Sequence, residues 1–546
     1  IYSDPKGDGF NQGDVYPKGP YRPADGVQRG SVMDMPVYSG DPLTPGIAAT
    51  ENAKRLDMKD VETFTKIPVL PISYADAELL LASIGGRVAP ESWRGNLPIT
   101  YKIGPGPAKV HLKLAFNWNQ VKINDVVARM QGSEYPDEWI IRGNHHDAWV
   151  NGAEDPTSGQ VCLLEEARAL GMLAKQGWKP KRTIIYCAWD GEEEGLLGST
   201  EWVEAHADEL QTKAVLYINT DSNGRGYLNI AGSHSLEKFI NGVAKDINDP
   251  EKNISVWKRL QSNSINGASS IDERKTLRSG GDLEIDALGS GSDYTPFLEH
   301  AGVASLNLGY GGEDGGGIYH SIYDSFYWYT HFSDTSFVYG KALAQTVGTA
   351  VIRAADADIL PFEFTRQSAT FAKYLDEIKK LAKDKREEII DRNAQIEEGT
   401  LSAISDPQET TIIPVVQEVP PFLNFSPLEN AMSSLQTNAE RYKKALEKFQ
   451  AANKPLPKSV NKKLIESERK LTHADGLPKR PWFKHQIYAP GFYTGYGVKT
   501  IPGVREAIEQ KNWKEAEEHI IKVARILEGE AALILSAAAD LNSATR

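Results

Sequence analysis

The sequence predicts an α/β protein with a mostly parallel mixed sheet at its centre, a turn-rich region before it and helices after it. Two observations carry this reading. In the middle of the chain, short β-branched or aromatic runs alternate with helix-length segments, the pattern of buried strands in a sheet covered on both faces. In the last third, apolar residues recur at three- and four-residue spacing, which marks amphipathic helices.

Taken in order, residues 1–118 are rich in Gly, Pro and Asp, with short apolar stretches between turn signals. They read as a small β-rich domain with one helix, YADAELLLASI, capped by Ser73 and ended by Gly85-Gly86. Residues 119–357 form the α/β domain. Its expected strands are 138–144, 183–189, 214–220 and 303–308, and its clearest helix is 158–176. Residues 358–546 read as helical. Phe371, Tyr374, Leu375, Ile378, Leu381 and Ala382 share one face, as do Ala516, Ile520, Val523, Leu527 and Ile534 in a last helix from Trp513 to about Leu541. The Pro-rich segment 414–422 separates the two halves.

Composition excludes several classes. A length of 546 residues allows two to four domains on a prior of about 100–200 residues each. The net charge of −13 argues against a nucleic-acid groove, which needs a basic face. Cys162 and Cys187 are the two cysteines; both sit in apolar runs and read as buried thiols, so no disulfide framework is expected. No run of about 18 uncharged apolar residues suggests a membrane span. The chain starts at Ile1 without a signal-like segment and reads as a piece of a longer or processed polypeptide.

The chemistry collects where strands end. In an open α/β sheet, ligands gather at the carboxyl ends of the strands. After strand 138–144 come His145, His146 and Asp147; after 183–189 comes DGEEEG with Glu192, Glu193 and Glu194; after 214–220 comes Asp221. Asp155, in NGAEDPTSG, and His320, in GGGIYHSIYDS, complete the set. Imidazole and carboxylate donors without cysteine suit zinc first, then manganese or cobalt. Five side chains hold two ions if Asp155 bridges them, with the ions roughly 3.5–4 Å apart and a bridging water as nucleophile. Each residue also has a plainer reading. Asp155 can be a helix cap ahead of Pro156, DGEEEG a solvated turn, His145 a partly buried histidine and His320 part of a flexible loop. Their recurrence at successive strand ends favours the metal reading.

The phrases GNHHDAWVNGAEDPTSG, AWDGEEEGLLGSTEW, YINTDS and IYHSIYDS resemble those of co-catalytic zinc aminopeptidases, most closely the glutamate carboxypeptidase II and transferrin-receptor branch. The resemblance continues through GVQRG, SGDPLTPG, SWRG, LGSGSDY, LPKRPWFKHQIYAP and IPGV. It implies a partial protease-associated domain over 1–118, a zinc peptidase over 119–357 and a helical dimerisation domain over 358–546. The early protease-associated segment and first peptidase strand of the family would precede Ile1. It also implies one zinc on His145, Asp155 and Asp221, and another on Asp155, Glu193 and His320. Glu192 becomes general base, passing a proton from the attacking water to the leaving amine. Asp147 orients His145, and His146 is a bystander. Tyr319 helps hold the tetrahedral intermediate, and Gly291, Ser292 and Tyr496 contact substrate. Glu201 and Glu204 join Thr44 and the Ile47 carbonyl in a calcium site. A peptide substrate, a homodimer through the helical domain and a secreted or extracytoplasmic location are implied by the same resemblance.

The substrate pocket departs from the glutamate-directed pattern. VASLNLGY lacks the arginine patch, Gly495 replaces a lysine beside Tyr496, and Tyr21 replaces an asparagine. Arg22 and Arg225 are candidates to replace those basic groups, but both read first as ordinary surface arginines. The expected enzyme is a carboxypeptidase-like dipeptidase with weak demand for a C-terminal acidic residue. Aminopeptidase activity is the alternative, and a non-catalytic receptor-type binding module the reading of a different class.

Overall fold

A computed structural model describes residues 1–5, 13–405, 407, 412 and 414–546. The chain forms two compact units: 1–286 with 291–361, and 287–290 with 362–546.

In the first unit, the region ahead of the sheet is poor in strands. It holds α1 (Tyr74–Ala82), whose Ser73 hydroxyl accepts the Asp76 amide as an N-cap. Its strands are only two residues long, β1 (Arg87–Val88) and β2 (Lys102–Ile103), paired antiparallel. The β-rich expectation is corrected here. Val110, Phe116 and Trp118 lie in a segment without secondary structure and are 69%, 64% and 60% exposed. A strand forms only where a neighbour takes up its backbone donors and acceptors, and apolar texture does not supply that neighbour.

The central sheet has six strands: β3 (Val126–Met130), β4 (Tyr135–His145), β5 (Arg182–Trp189), β6 (Ala214–Asn219), β7 (Gly226–Gly232) and β8 (Ser305–Gly312). Their order is β3-β5-β4-β6-β8-β7. The four inner strands are mutually parallel, and β3 and β7 add antiparallel edges. Strands β4, β5 and β6 correspond to the expected runs; β8 starts at Ser305 and runs on to Gly312. Strands β3 and β7 lacked a strong sequence signal: β3 is mostly exposed, and β7 carries two glycines and an asparagine.

Ile140, Ile141, Ile184, Leu216 and Ile218 are buried in this sheet. On one face pack α2 (Ser158–Lys175) and α3 (Val338–Asp356). The fully buried Arg142 of β4 locks α2 in place through a two-bond pair with Glu166, at 3.1 and 3.2 Å. Elsewhere in the core Phe297 stacks flat on Tyr217 at 4.0 Å, and Trp202 packs against Trp189. Register then decides function. His145 stands opposite Trp189, and Gly143 stands opposite Asn219. The residues that continue from β5 and β6 therefore emerge beside the end of β4.

The second unit is built on long helices: α4 (Phe364–Glu397), α5 (Ser426–Ala452), α6 (Lys458–Lys470) and α7 (Trp513–Thr545). The α5–α7 pair is its principal packing. No described helix is long and apolar enough to cross a membrane. At the centre of this unit, Glu530 is fully buried and accepts hydrogen bonds from Gln367 at 3.1 Å and Ser467 at 3.0 Å. Burial, with the nearby charge of Glu468, pushes its pKa up to about 8. The folded chain thus keeps a proton that the unfolded chain loses above about pH 4.5, and stability falls as pH rises from there to about 8. A Glu530→Gln variant keeps an acceptor oxygen and removes this penalty. Its stability relative to the parent should rise by up to about 1.4 kcal/mol per pH unit across that window. Denaturant melts at pH 5 and pH 8.5 check this; a pH-independent difference refutes it.

Candidate metal centre

His145 is the last residue of β4. Its Nε2 lies 3.3 Å from Asp155 Oδ1, 3.8 Å from Asp221 Oδ1 and 4.0 Å from Glu192 Oε2. His320 Nε2 lies 3.4 Å from the other oxygen of Asp155, Oδ2, and 3.0 Å from Glu193 Oε2. Tetrahedral zinc with bonds of 2.0–2.1 Å sets its donor atoms about 3.3 Å apart. The Asp155, Glu193 and His320 donors lie near that spacing and are grouped closely enough to hold an ion. Around His145, Asp155 is near it and Asp221 stands farther off at 3.8 Å, so Asp155 faces both imidazoles.

Each donor is held by a local device. His145 Nδ1 is 3.1 Å from the Asp147 carbonyl and 3.5 Å from its carboxylate, which leaves Nε2 to face the centre. His320 Nδ1 is 3.1 Å from the Arg29 carbonyl, and the Arg29 amide donates to the His320 carbonyl at 2.9 Å. His320 itself has φ of +55°, a left-handed backbone that costs a non-glycine residue roughly 1–2 kcal/mol. The loop Gly191-Glu192-Glu193 comes after β5, with Gly191 at φ +70° starting a short helical turn, Glu192–Gly195. Glu193 Oε1 accepts the Trp149 amide at 3.0 Å, so only Oε2 is turned to His320. Asp155 is no helix cap: it is extended (φ −112°, ψ 104°) between Gly152 and α2, with its carboxylate between the two imidazoles.

The site is overloaded with negative charge. Glu192, Glu193, Asp155 and Asp293 are buried around two imidazoles, with Asp221 alongside. Burial opposes charging of His145, yet Glu192, Asp147, Asp155 and Asp221 hold its pKa well above the ordinary imidazole value. Burial likewise opposes charging of His320, and Asp155 and Glu193 raise it to about 9. Burial works against ionisation of Asp155, but hydrogen bonds from both imidazoles keep it below the usual carboxylate range. Burial drives the Glu192 carboxyl well upward, with Asp293 and Asp221 adding to it and His145 opposing. Burial also raises Asp221, His145 again acting in the other direction. Protonated imidazoles only part-neutralise this set. A divalent cation between these carboxylates and imidazoles would meet the excess.

Asn219, Asp293 and Asp324 carried no sequence signal of their own, and Ser292, expected at the substrate, is also tied to a metal-donor candidate. Asn219, at the end of β6, donates to Asp221 Oδ1 at 3.2 Å and is fixed from below by Tyr217, which is in turn bonded to Trp189. Ser292 is buried, and its hydroxyl donates to Asp221 Oδ1 at 2.8 Å, so it supports that carboxylate from beneath. Asp293 is fully buried beside Ser199 and adds negative potential near Glu192. Asp324, from the His320 loop, accepts the amides of Glu154 and Asp155; burial pushes its pKa up to about 6. An asparagine inside an apolar strand or an aspartate in a turn reads as neutral until the fold shows what it touches.

The remaining candidates occupy varied positions. Tyr319 is half exposed, with its ring stacked on His320 at 3.5 Å. Gly291 adopts φ of +103° just before Ser292. His146 is exposed at the rim, 3.3 Å from the Asn124 carbonyl. Tyr496 belongs to the second unit, half exposed in the turn between the short strands Tyr488–Pro490 and Val498–Thr500. Glu201 accepts the amides of Asp41 and Ala49, and Glu204 that of Gly46, so the 41–49 loop wraps both carboxylates. Ile47 is half exposed there, and the buried Thr44 hydroxyl has no hydrogen-bond partner among the described residues. Cys162 and Cys187 are free and buried. One expectation is overturned: Arg22 is buried, not a surface arginine, with its guanidinium 5.9 Å from the centre of the Tyr74 ring. Its aliphatic stem and ring contact offset part of the cost of that burial. Arg225 is partly exposed and paired with Glu251.

Fold and site together define a zinc-dependent metallopeptidase, and sequence comparison agrees. Residues 125–336 match peptidase family M28, and residues 423–535 match the transferrin receptor-like dimerisation domain. The chain is 34% identical over 547 residues to the probable glutamate carboxypeptidase LAMP1 of Arabidopsis thaliana, covering 98% of this chain and 70% of that protein. It is 35% identical to a probable glutamate carboxypeptidase of Arthroderma benhamiae, covering 99% and 70%. It is 30% identical to the aminopeptidase NAALADL1 of Rattus norvegicus, covering 98% and 70%. The chain belongs to peptidase family M28, in its glutamate carboxypeptidase and transferrin-receptor branch, and is a metallo-exopeptidase.

In protein stripped of metal, His320 should titrate near pH 9. A raised imidazole pKa means that its pairing stabilises the fold fully below about pH 6.5 and is lost as pH climbs through about 9. Histidine NMR titration of chelator-treated protein measures it directly. A midpoint at or below 6.5 would contradict the pairing with Asp155 and Glu193.

Proposed function

We propose that this chain is a two-zinc exopeptidase cleaving short peptides as a carboxypeptidase-type dipeptidase. The observation that carries the reading is the division of one carboxylate, with Asp155 Oδ1 beside His145 and Oδ2 beside His320. His145, Asp155 and Asp221 would hold one ion, and Asp155, Glu193 and His320 the other. Bound there, zinc supplies Lewis-acid polarisation of the scissile carbonyl and acidifies water. The chain's own groups do the rest. Glu193 is tied by Trp149 and His320, whereas Glu192 stands beside the cluster with its side chain directed at the same space. Glu192 takes the proton from the attacking water and returns it to the departing amine. Tyr319, whose ring stacks on His320, would donate its phenol to the tetrahedral carbonyl oxygen.

Weak selection for an acidic C-terminal residue is inferred from the missing basic residues. No arginine occurs in 303–310, Gly495 precedes Tyr496, and two arginine candidates are engaged, Arg22 by burial and Arg225 by Glu251. Relatives named glutamate carboxypeptidase support cleavage at the carboxyl end; the relative named aminopeptidase, at 30% identity, keeps amine-directed cleavage as a second reading. The intact set of five ligands and Glu192 weighs against a non-catalytic binding module. Calcium is a further proposal: Glu201, Glu204, Thr44 and the Ile47 carbonyl would supply an all-oxygen set suited to a hard cation. Burial, with the nearby carboxylates of Glu204 and Asp41, raises Glu201 to about 8. The match over 423–535 supports pairing of two copies through the helical unit.

Glu192→Gln should retain two zinc ions per chain by elemental analysis while kcat falls at least about 100-fold, the low end for losing a general base. Activity within a few-fold of the parent would remove Glu192 from the mechanism. N-blocked and C-blocked dipeptides separate the two exopeptidase readings: cleavage confined to free-amine substrates rejects the carboxypeptidase assignment. Added calcium should raise the melting temperature of the parent but not of a Glu201→Gln variant; equal shifts in both would reject the calcium site.

A further inference from the structure

Asp324 joins the loop that carries Asp155 to the loop that carries His320. It lies in 318–325, the loop of His320, and is buried. Its two oxygens divide between successive amides of the other loop: Oδ1 accepts Glu154 N at 2.7 Å and Oδ2 accepts Asp155 N at 3.0 Å. Its own carbonyl accepts the Ala153 amide at 3.2 Å. Three consecutive amides thus end on a single residue. A second strut lies nearby, where the Asn151 side chain donates to the Ile322 carbonyl at 2.7 Å.

These bonds fall where the backbone has least support of its own. Gly152 is left-handed, Asp155 is extended, and α2 starts only at Ser158. Buried amides in such a stretch need acceptors from elsewhere. A carboxylate suits two adjacent donors because both of its oxygens only accept, whereas an amide side chain would set an N–H against one of them. The bridging side chain of Asp155 hangs from the amide that Asp324 grips, and His320 is four residues from Asp324. The distance between the shared carboxylate and His320 is therefore fixed through Asp324.

We propose that Asp324 is a positioning residue for the bridging carboxylate, setting the affinity of both ions together. This rests on the two-ion reading. Asp324 reaches no donor position itself; it acts by holding the Asp155 backbone. Because Asp155 serves both clusters, loss of the clamp weakens both, whereas loss of a device that holds one histidine weakens one.

The test uses the full chain, with zinc titrated against a competing chelator to give stoichiometry and affinity for each ion. Metal-free melting temperature and steady-state kinetics accompany it. Asp324→Asn, folded by circular dichroism, should bind both zinc ions about 10- to 100-fold more weakly, the usual effect of removing an outer partner of a metal ligand. At saturating zinc its KM should stay within about two-fold of the parent, because no substrate contact is lost. Asp324→Glu keeps two acceptor oxygens and should recover part of the affinity; it also decides the matter if Asp324→Asn fails to fold. Parental affinity for both ions in a folded Asp324→Asn, or a loss confined to one ion, overturns the proposal. Fewer than two zinc ions on the parent chain would instead reject the two-ion reading, and the clamp with it.

Discussion

The structure turns on one carboxylate placed between two imidazoles. Asp155 must be buried, ionised and oriented in two directions at once, and burial alone would drive it to the neutral form. His145 and His320 prevent that from either side. Ionisation is kept by geometry, and geometry is kept by bonds to backbone: Asp324 on the Glu154 and Asp155 amides, the Arg29 carbonyl on His320, the Asp147 carbonyl on His145. The reactive cluster is therefore the visible part of a larger set of hydrogen bonds in which main-chain groups do most of the orienting. Such groups are stiffer than side chains and do not titrate.

Charge explains why the site belongs to a metal enzyme. An acid–base pair would need one or two shifted carboxyls. Here Glu192, Asp221 and Asp293 are all raised by burial, beside two imidazoles raised by carboxylates. Groups pushed apart in this manner mark a place that the protein alone leaves poorly balanced. The sheet makes the crowding possible: parallel register brings the ends of β4, β5 and β6 level, so each succeeding loop opens at the same edge.

The centre is not the property of the α/β segment alone. His320 is oriented by Arg29, far upstream in the region of turns, and Tyr323 of the same loop reaches Asp25 at 2.9 Å. Residues 25–29 thus act as one wall of the loop carrying His320. The loop 41–49 does a similar service at Glu201 and Glu204, giving those carboxylates backbone donors from a distant part of the chain. The front region contributes through these contacts more than through any sheet of its own.

How much was legible depends on the range of each interaction. Periodicity disclosed the inner strands and the helices α4 and α7; strand-end position pointed to His145, Glu192, Glu193 and Asp221, and Asp155 and His320 joined them as candidates from nearby loops. A buried parallel strand must be apolar, and the loop leaving its carboxyl end returns to water and carries polar groups. Edge strands β3 and β7, only partly buried, carried no such mark, and the short apolar stretches of 1–118 suggested strands most of which found no partner. Sequence could place Asp155 before a helix but could not tell a cap from a bridge, since both use an aspartate ahead of Pro156. Nor could it show Ser292 and Asn219 under Asp221, or Asp324 on the backbone of Asp155, because those bonds join residues separated by between two and 169 positions. Local composition determined which chemistry was available. Only tertiary packing decided which groups would share it, since a hydrogen bond depends on distance and angle in space and leaves no pattern along the chain.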